Sequence, residues 1–211
     1  MINNRRKFMK QGASALGATL ILPSPQSFSI LSNSPNETVR IGVIGTGDRG
    51  QGLMKILNQI PNIALVAVCD PLNFRLDAAS MIAPNAKKYS NHKALLAHQG
   101  LDAVIISSPL NTHAEIAHDA VDANVHIYCE KTMVKGDEDA IILYNKVKRD
   151  HTKIFQTGHQ YHSSRLYAHI VEMIQAGEIG KVSAVHAQWN RNGNWRRPVS
   201  DPKLERQINW R

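Results

Sequence analysis

Residues 39–50 read Val39-Arg40-Ile41-Gly42-Val43-Ile44-Gly45-Thr46-Gly47-Asp48-Arg49-Gly50, and this stretch decides the fold. An apolar β-type run, Val39, Ile41, Val43 and Ile44, leads into Gly45-x-Gly47-x-x-Gly50, and a helix-type pattern follows at Leu53, Met54, Ile56 and Leu57. The glycines meet three steric demands: Gly45 permits a tight turn, Gly47 lets backbone approach a pyrophosphate, and Gly50 lets helix and strand pack closely. The helix N-terminus then offers unpaired N–H groups and the positive end of the helix dipole to phosphate. A Gly-rich turn of some other α/β protein is the plainer alternative. The strand before and the helix after supply the context that a dinucleotide site needs. Gly45, Thr46, Gly47, Asp48, Arg49 and Gly50 are therefore expected to line a cofactor.

A second β run, residues 64–69, ends at Asp70. A carboxylate at that point accepts hydrogen bonds from the adenosine ribose and repels a 2′-phosphate, which favours NAD over NADP. Arg75, five residues on, could reach a 2′-phosphate and weighs the other way. Asp70 also suits a helix N-cap in the Asp-Pro turn before Leu72, and the two roles are compatible.

The alternation continues through a helix at 72–82, an edge strand near 87–90, a helix at 92–98 and a buried strand at 101–109. A helix at 112–122, a strand at 124–129, a helix near 136–149 and a strand at 153–157 complete it. Such alternation predicts an α/β fold, a Rossmann-type doubly wound parallel sheet. Ligands of these sheets bind outside the C-terminal strand ends. The strand ends collect 45–50, Asp70, Ser107-Ser108-Pro109, Glu130-Lys131 and Gly158-His159-Gln160. A charged pair directly after a buried strand is costly unless it is paired and useful. A lysine at that place donates to a substrate hydroxyl and favours the alkoxide that hydride transfer requires. A solvated pair at a strand end is the bland alternative.

Of 211 residues, 43% are hydrophobic and 20% charged, which is ordinary for a globular protein. The formal net charge is +8, but residues 1–36 carry +4 and residues 181–211 carry +5, which leaves the body at −1. A nucleic-acid face should cross the folded body, so nucleic-acid binding is not expected. The leader Asn4-Arg5-Arg6-Lys7-Phe8-Met9-Lys10 resembles a twin-arginine export motif. The apolar stretch that follows, 12–22, falls short of the about 20 residues that span a bilayer. Residues 1–36 are therefore read as a signal peptide and linker for the twin-arginine machinery, with a periplasmic or extracytoplasmic destination and no membrane anchor. Cys69 and Cys129 end the second and fifth predicted strands, three positions apart in a 3-2-1-4-5-6 sheet. That is roughly 14 Å, against the about 7 Å a disulfide tolerates. Two buried free thiols are expected. No metal site is expected either, since His159 and His162 have no evident third ligand.

Taken together, 41–47, Ser108-Pro109-Leu110-Asn111-Thr112-His113 and Cys129-Glu130-Lys131 resemble the Gfo/Idh/MocA oxidoreductases, the glucose–fructose oxidoreductase and inositol dehydrogenase group. The resemblance covers residues 39–211. It implies NAD as cofactor and Lys131 as the catalytic, substrate-orienting amine. Ser107, Ser108, Pro109, Asn111 and His113 would serve the nicotinamide ribose, with His113 in a structural part, and Glu130 would also sit at the cofactor. Thr132 stands where the family usually has proline. His159 and Gln160 would line the substrate mouth. The domain organisation expected is 1–36 leader, 37–158 NAD-binding Rossmann domain, and 159–211 the start of an α+β substrate domain that commonly mediates oligomers. That last part would open with a strand at 182–189. Trp195 and Arg196 suit sugar recognition, by indole stacking and forked donors. The family's acid/base histidine would lie beyond Arg211, so these 211 residues alone are expected to give no turnover. The leading function is an NAD-dependent oxidoreductase acting on a sugar, polyol or related carbohydrate. The alternatives are an NAD-retaining glycosidase working by oxidation, elimination, addition and re-reduction, and a nucleotide-binding chain without catalysis.

Overall fold

Runs such as Ile63–Cys69 are too uniformly apolar for a sheet with one wet face, and they pack on both faces. The computed structural model describes residues 37–149, 152–190, 192–193, 199 and 201–208. Its nucleotide-type half runs β1 Val39–Ile44, α1 Asp48–Leu57, β2 Ile63–Cys69, α2 Asn73–Ile82, β3 Lys87–Tyr89 and α3 His92–Leu96. It continues with β4 Ala103–Ile106, α4 His113–Asp122, β5 His126–Glu130, α5 Asp137–Arg149 and β6 Phe155–Gly158. The strand order is β3-β2-β1-β4-β5-β6 and every pairing is parallel. This is the doubly wound sheet read from the sequence.

Two apolar layers hold it. Val43, Met54, Val68, Leu76 and Ile105 pack on the α1–α2 face. Leu95, Val104, Ile106, Ile116, Ile127 and Leu143 pack on the α3–α4–α5 face. Register matters more for function. Ile44 lies beside Cys69 and Ile106, and Glu130 beside Gly158. The residues that follow these strands, Gly45, Asp70, Ser107, Lys131 and His159, therefore emerge along one edge.

Several boundaries differ from those read in the sequence. The strand placed at 101–109 contracts to β4, because Asp102 turns its carboxylate onto Arg40 and a 3-10 turn, Leu110–Thr112, precedes α4. The strand expected at 182–189 is absent: that segment runs without a ladder partner, with Val185 and Trp189 exposed. An unpaired strand has nowhere to place its backbone hydrogen bonds. Before it lies α6 Arg165–Gln175, whose Leu166, Ile170 and Val171 are exposed; after it, α7 Pro202–Glu205 is capped by Asp201. Cys69 and Cys129 are buried free thiols on β2 and β5, three strands apart. Among the described residues no helix is long and apolar enough to cross a membrane.

Candidate active site

The glycine loop is braced from three sides. The Gly45 amide donates to the Cys69 carbonyl at 2.8 Å, and the Ser107 hydroxyl donates to the Gly45 carbonyl at 2.7 Å. Gly45 has φ +89°, and a Cβ there would lie 2.5 Å from the Ser108 amide nitrogen. A Cβ on Gly50 would overlap the Gly45 carbonyl oxygen. From below, the Gln51 side chain donates to the Thr46 carbonyl at 2.8 Å. Gly47 is the N-cap of α1 and, lacking a side chain, makes no side-chain cap hydrogen bond to the helix's leading amides.

Asp70 secures the loop from the next strand. Its Oδ2 accepts from the Thr46 amide at 2.9 Å, and its Oδ1 from the Leu72 amide at 3.0 Å. Asp70 and Thr46 are both buried. The N-cap of α2 is Leu72, so Asp70 closes the turn before the helix and does not cap the helix itself. The Arg75 guanidinium stands 3.9 Å from Asp70 Oδ2 and lies beside Gly47.

Between these elements lies a cleft of about 430 Å3, lined by Gly45, Asp70, Arg75, Ser108, Pro109 and Asn111. Such a volume falls in the range of small-molecule sites. The open cradle at Gly47, the uncapped helix N-terminus and the acid at the end of β2 fit a dinucleotide's pyrophosphate and ribose. Gln207 and Ile208 wall one side of the cleft, and His92 and Glu115 another. None of these four was foreseen. His92 Nε2 meets Asp119 Oδ2 at 2.7 Å, with the Lys93 ammonium 3.6 Å from the same carboxylate. Burial pushes the Asp119 pKa up, yet the hydrogen bond from His92 and the charge of Lys93 outweigh it and hold it below the ordinary value.

Farther along the edge, buried His113 staples two loops. Its Nδ1 faces the Thr132 carbonyl at 2.8 Å and its Nε2 the Ser108 carbonyl at 2.9 Å. The Lys131–Thr132 peptide is cis. Glu130 is buried at the end of β5, and Arg49 Nε donates to its Oε1 at 2.8 Å. Lys131 is exposed beside it, and among the described residues its ammonium makes no hydrogen bond or ion pair. His159 is exposed, its Nδ1 3.1 Å from Thr157 Oγ1, and Gln160 opens the 3-10 turn Gln160–Ser163. The rings of His159 and His162 meet edge-on at 6.0 Å.

The strand ends thus gather Gly45, Thr46, Gly47, Gly50, Asp70, Ser107, Ser108 and Glu130 around the loop, with Lys131 and His159 farther along. The Asp48 and Arg49 side chains are exposed on the first turn of α1. Trp195 and Arg196 lie outside the described residues.

A family model described as an oxidoreductase family with an NAD-binding Rossmann fold, GFO_IDH_MocA, matches residues 39–159. Inositol 2-dehydrogenase of Salmonella paratyphi B is 28% identical over 153 residues, 72% of this chain and 46% of that protein. The NAD(+)-dependent scyllo-inositol 2-dehydrogenase of Bacillus subtilis is 32% identical over 144 residues, 68% of this chain and 42% of its own length. Among solved structures, myo-inositol dehydrogenase from Lactobacillus casei in complex with NAD(H) and myo-inositol superposes with a TM-score of 0.64 at 28% identity. That superposition covers 68% of this chain and 43% of the other. The chain spans less than half the length of the curated relatives it matches.

Proposed function

The chain belongs to the Gfo/Idh/MocA family of oxidoreductases, with an NAD-binding Rossmann fold, and from that premise we propose that its protein oxidises a polyol or cyclic sugar hydroxyl with NAD. The observation that carries this is the ammonium of Lys131, which makes no hydrogen bond or ion pair among the described residues and stands at the end of the strand whose Glu130 touches the glycine-loop helix. NAD, when bound, supplies the hydride acceptor. The 45–50 loop and the α1 N-terminus would hold its pyrophosphate, Asp70 its adenosine ribose, and Ser108, Pro109 and Asn111 the far wall of the cleft. Lys131 donates a hydrogen bond to the substrate hydroxyl oxygen and stabilises negative charge there as the proton departs. His159 and Gln160, one strand over, would meet the other hydroxyls of the ligand. The inositol specificity of the relatives makes cyclic polyols the first substrates to try.

The test is NADH formation by the protein expressed from its own gene, with inositols and pyranoses as substrates. Lys131→Ala should lower turnover by roughly 100-fold or more while NAD affinity holds. Unchanged turnover in that variant would remove Lys131 from the chemistry. Glycoside cleavage without net NADH would point to the NAD-retaining glycosidase.

We also propose that Arg5-Arg6 addresses the protein to the twin-arginine export route, and that the complete protein is a homo-oligomer. Arg5→Lys with Arg6→Lys should abolish periplasmic accumulation without altering the fold. Equal accumulation would refute the address.

A further inference from the structure

Resting on the role proposed above for Lys131, we infer that Arg49 is a positioning residue: it holds the Glu130 carboxylate and thereby leaves the Lys131 ammonium free for substrate. Glu130 and Lys131 are chain neighbours of opposite charge, and opposite charges brought within about 4–6 Å favour one another's charged forms. Here the two side chains form no ion pair. Glu130 Oε1 accepts from both Nε and Nη2 of Arg49, and Oε2 accepts from the backbone amide of Lys131 at 3.3 Å. The Glu130 side chain is only 8% exposed, so its charge must be matched from within the fold. The guanidinium does this with two donors that converge on Oε1, whereas an ammonium offers a point charge.

The placement is built by the topology. Glu130 and Tyr128 stand on the same face of β5, two residues apart, and Arg49 reaches them from the first turn of α1. Burial, and then the Glu130 charge, push the Tyr128 phenol up, while the nearby Arg49 charge pulls the other way, so the three groups form one cluster. Gly158 closes it from β6: a Cβ there would lie 3.0 Å from Glu130 Oε1. The helix that opens on the phosphate loop therefore also fixes the acid beside the reacting amine. Loss of Arg49 would leave the Glu130 carboxylate without its guanidinium and, on this inference, open to its chain neighbour Lys131.

Lysine-by-lysine acylation, read by mass spectrometry at neutral pH on the full chain, tests this without any substrate. Lys131 should label about fivefold more slowly in Arg49→Gln, the scale of one ion pair. It should recover in the double variant Arg49→Gln/Glu130→Gln and fall between wild type and Arg49→Gln in Arg49→Lys. Glu130→Gln alone should leave the labelling rate unchanged, because the amine is already free. An unchanged rate in folded Arg49→Gln overturns the inference. So does faster labelling in Glu130→Gln, which also decides the matter if Arg49→Gln does not fold. In turnover, Arg49→Gln should lower kcat more than it raises KM, and the double variant should recover part of the loss. Should Lys131→Ala prove fully active, the oxidoreductase role of Lys131 falls while the labelling result stands on its own.

Discussion

The Thr46 amide, fully buried, donates its hydrogen bond to Asp70 Oδ2 at 2.9 Å, so the acid at the end of β2 holds the phosphate loop in shape. A ribose-binding acid and a loop-bracing acid make different predictions. Asp70→Ala should narrow the advantage of NAD over NADP, because a negative charge facing the 2′ position is lost. It should also cost about 1–3 kcal/mol of stability, because a buried N–H is left unpaired. Fluorescence titration with both cofactors and thermal melts of the same variant check the two effects. Loss of discrimination at unchanged stability would mean that the Thr46 contact is incidental.

The three loop glycines should separate into two kinds. Gly50→Ala drives a methyl into the Gly45 carbonyl, and Gly45→Ala combines φ +89° with contact on the Ser108 backbone. Both should lose about 3 kcal/mol or more, since backbone cannot yield as a flexible side chain can. At Gly47 the nearest obstacle is the Arg75 guanidinium, 3.4 Å away. Gly47→Ala should therefore fold almost normally while losing NAD affinity, its methyl standing where the pyrophosphate approaches. Comparable melting points for Gly47→Ala and Gly50→Ala would contradict this division.

The glycine spacing was legible because each glycine answers a local demand, within a few residues of chain. The same is true of Asp70, which lies at a strand end that periodicity locates. The Arg49–Glu130 contact was not legible as a contact. It spans 81 residues and exists only because β5 lies two strands from β1, a fact that belongs to the strand order. Both residues stand among the expected cofactor ligands, and their side chains meet each other. His92 and Asp119 escaped for the same reason, being 27 residues apart with no shared motif. The strand at 182–189 differs for another reason: a strand needs a neighbour to pair with, and among the described residues that segment has none.

Burial pushes the thiols of Cys69 and Cys129 up to about 12, with a lesser push from Asp70 and Glu130 respectively. In native protein at mildly alkaline pH both should react with an aromatic disulfide slower than a free thiol by roughly a hundredfold or more. In denaturant two thiols per chain should titrate at once. Fast reaction of either under native conditions would show that its strand end opens readily.

Asp102 and Arg40 tie the starts of β4 and β1 together. The guanidinium donates to both carboxylate oxygens at 3.0 Å, and the Arg40 amide adds a bond at 2.8 Å. The side-chain hydrogen bond from Arg40 holds the Asp102 pKa below its ordinary 3.8, against the opposing effect of burial. A carboxylate depressed in the folded state binds a proton more readily once unfolded, so its contribution is complete above the unfolded value. It is lost as pH falls from 3.8 through the lower folded value. Urea unfolding of wild type and Asp102→Asn should therefore differ by a constant amount from neutral pH down to about 5, with the gap closing below about 4. High salt should shrink that gap at neutral pH, because both side chains are partly exposed. A gap that persists undiminished in strong acid would assign the loss in Asp102→Asn to packing, and the ion pair would then carry none of the stability between these two strands.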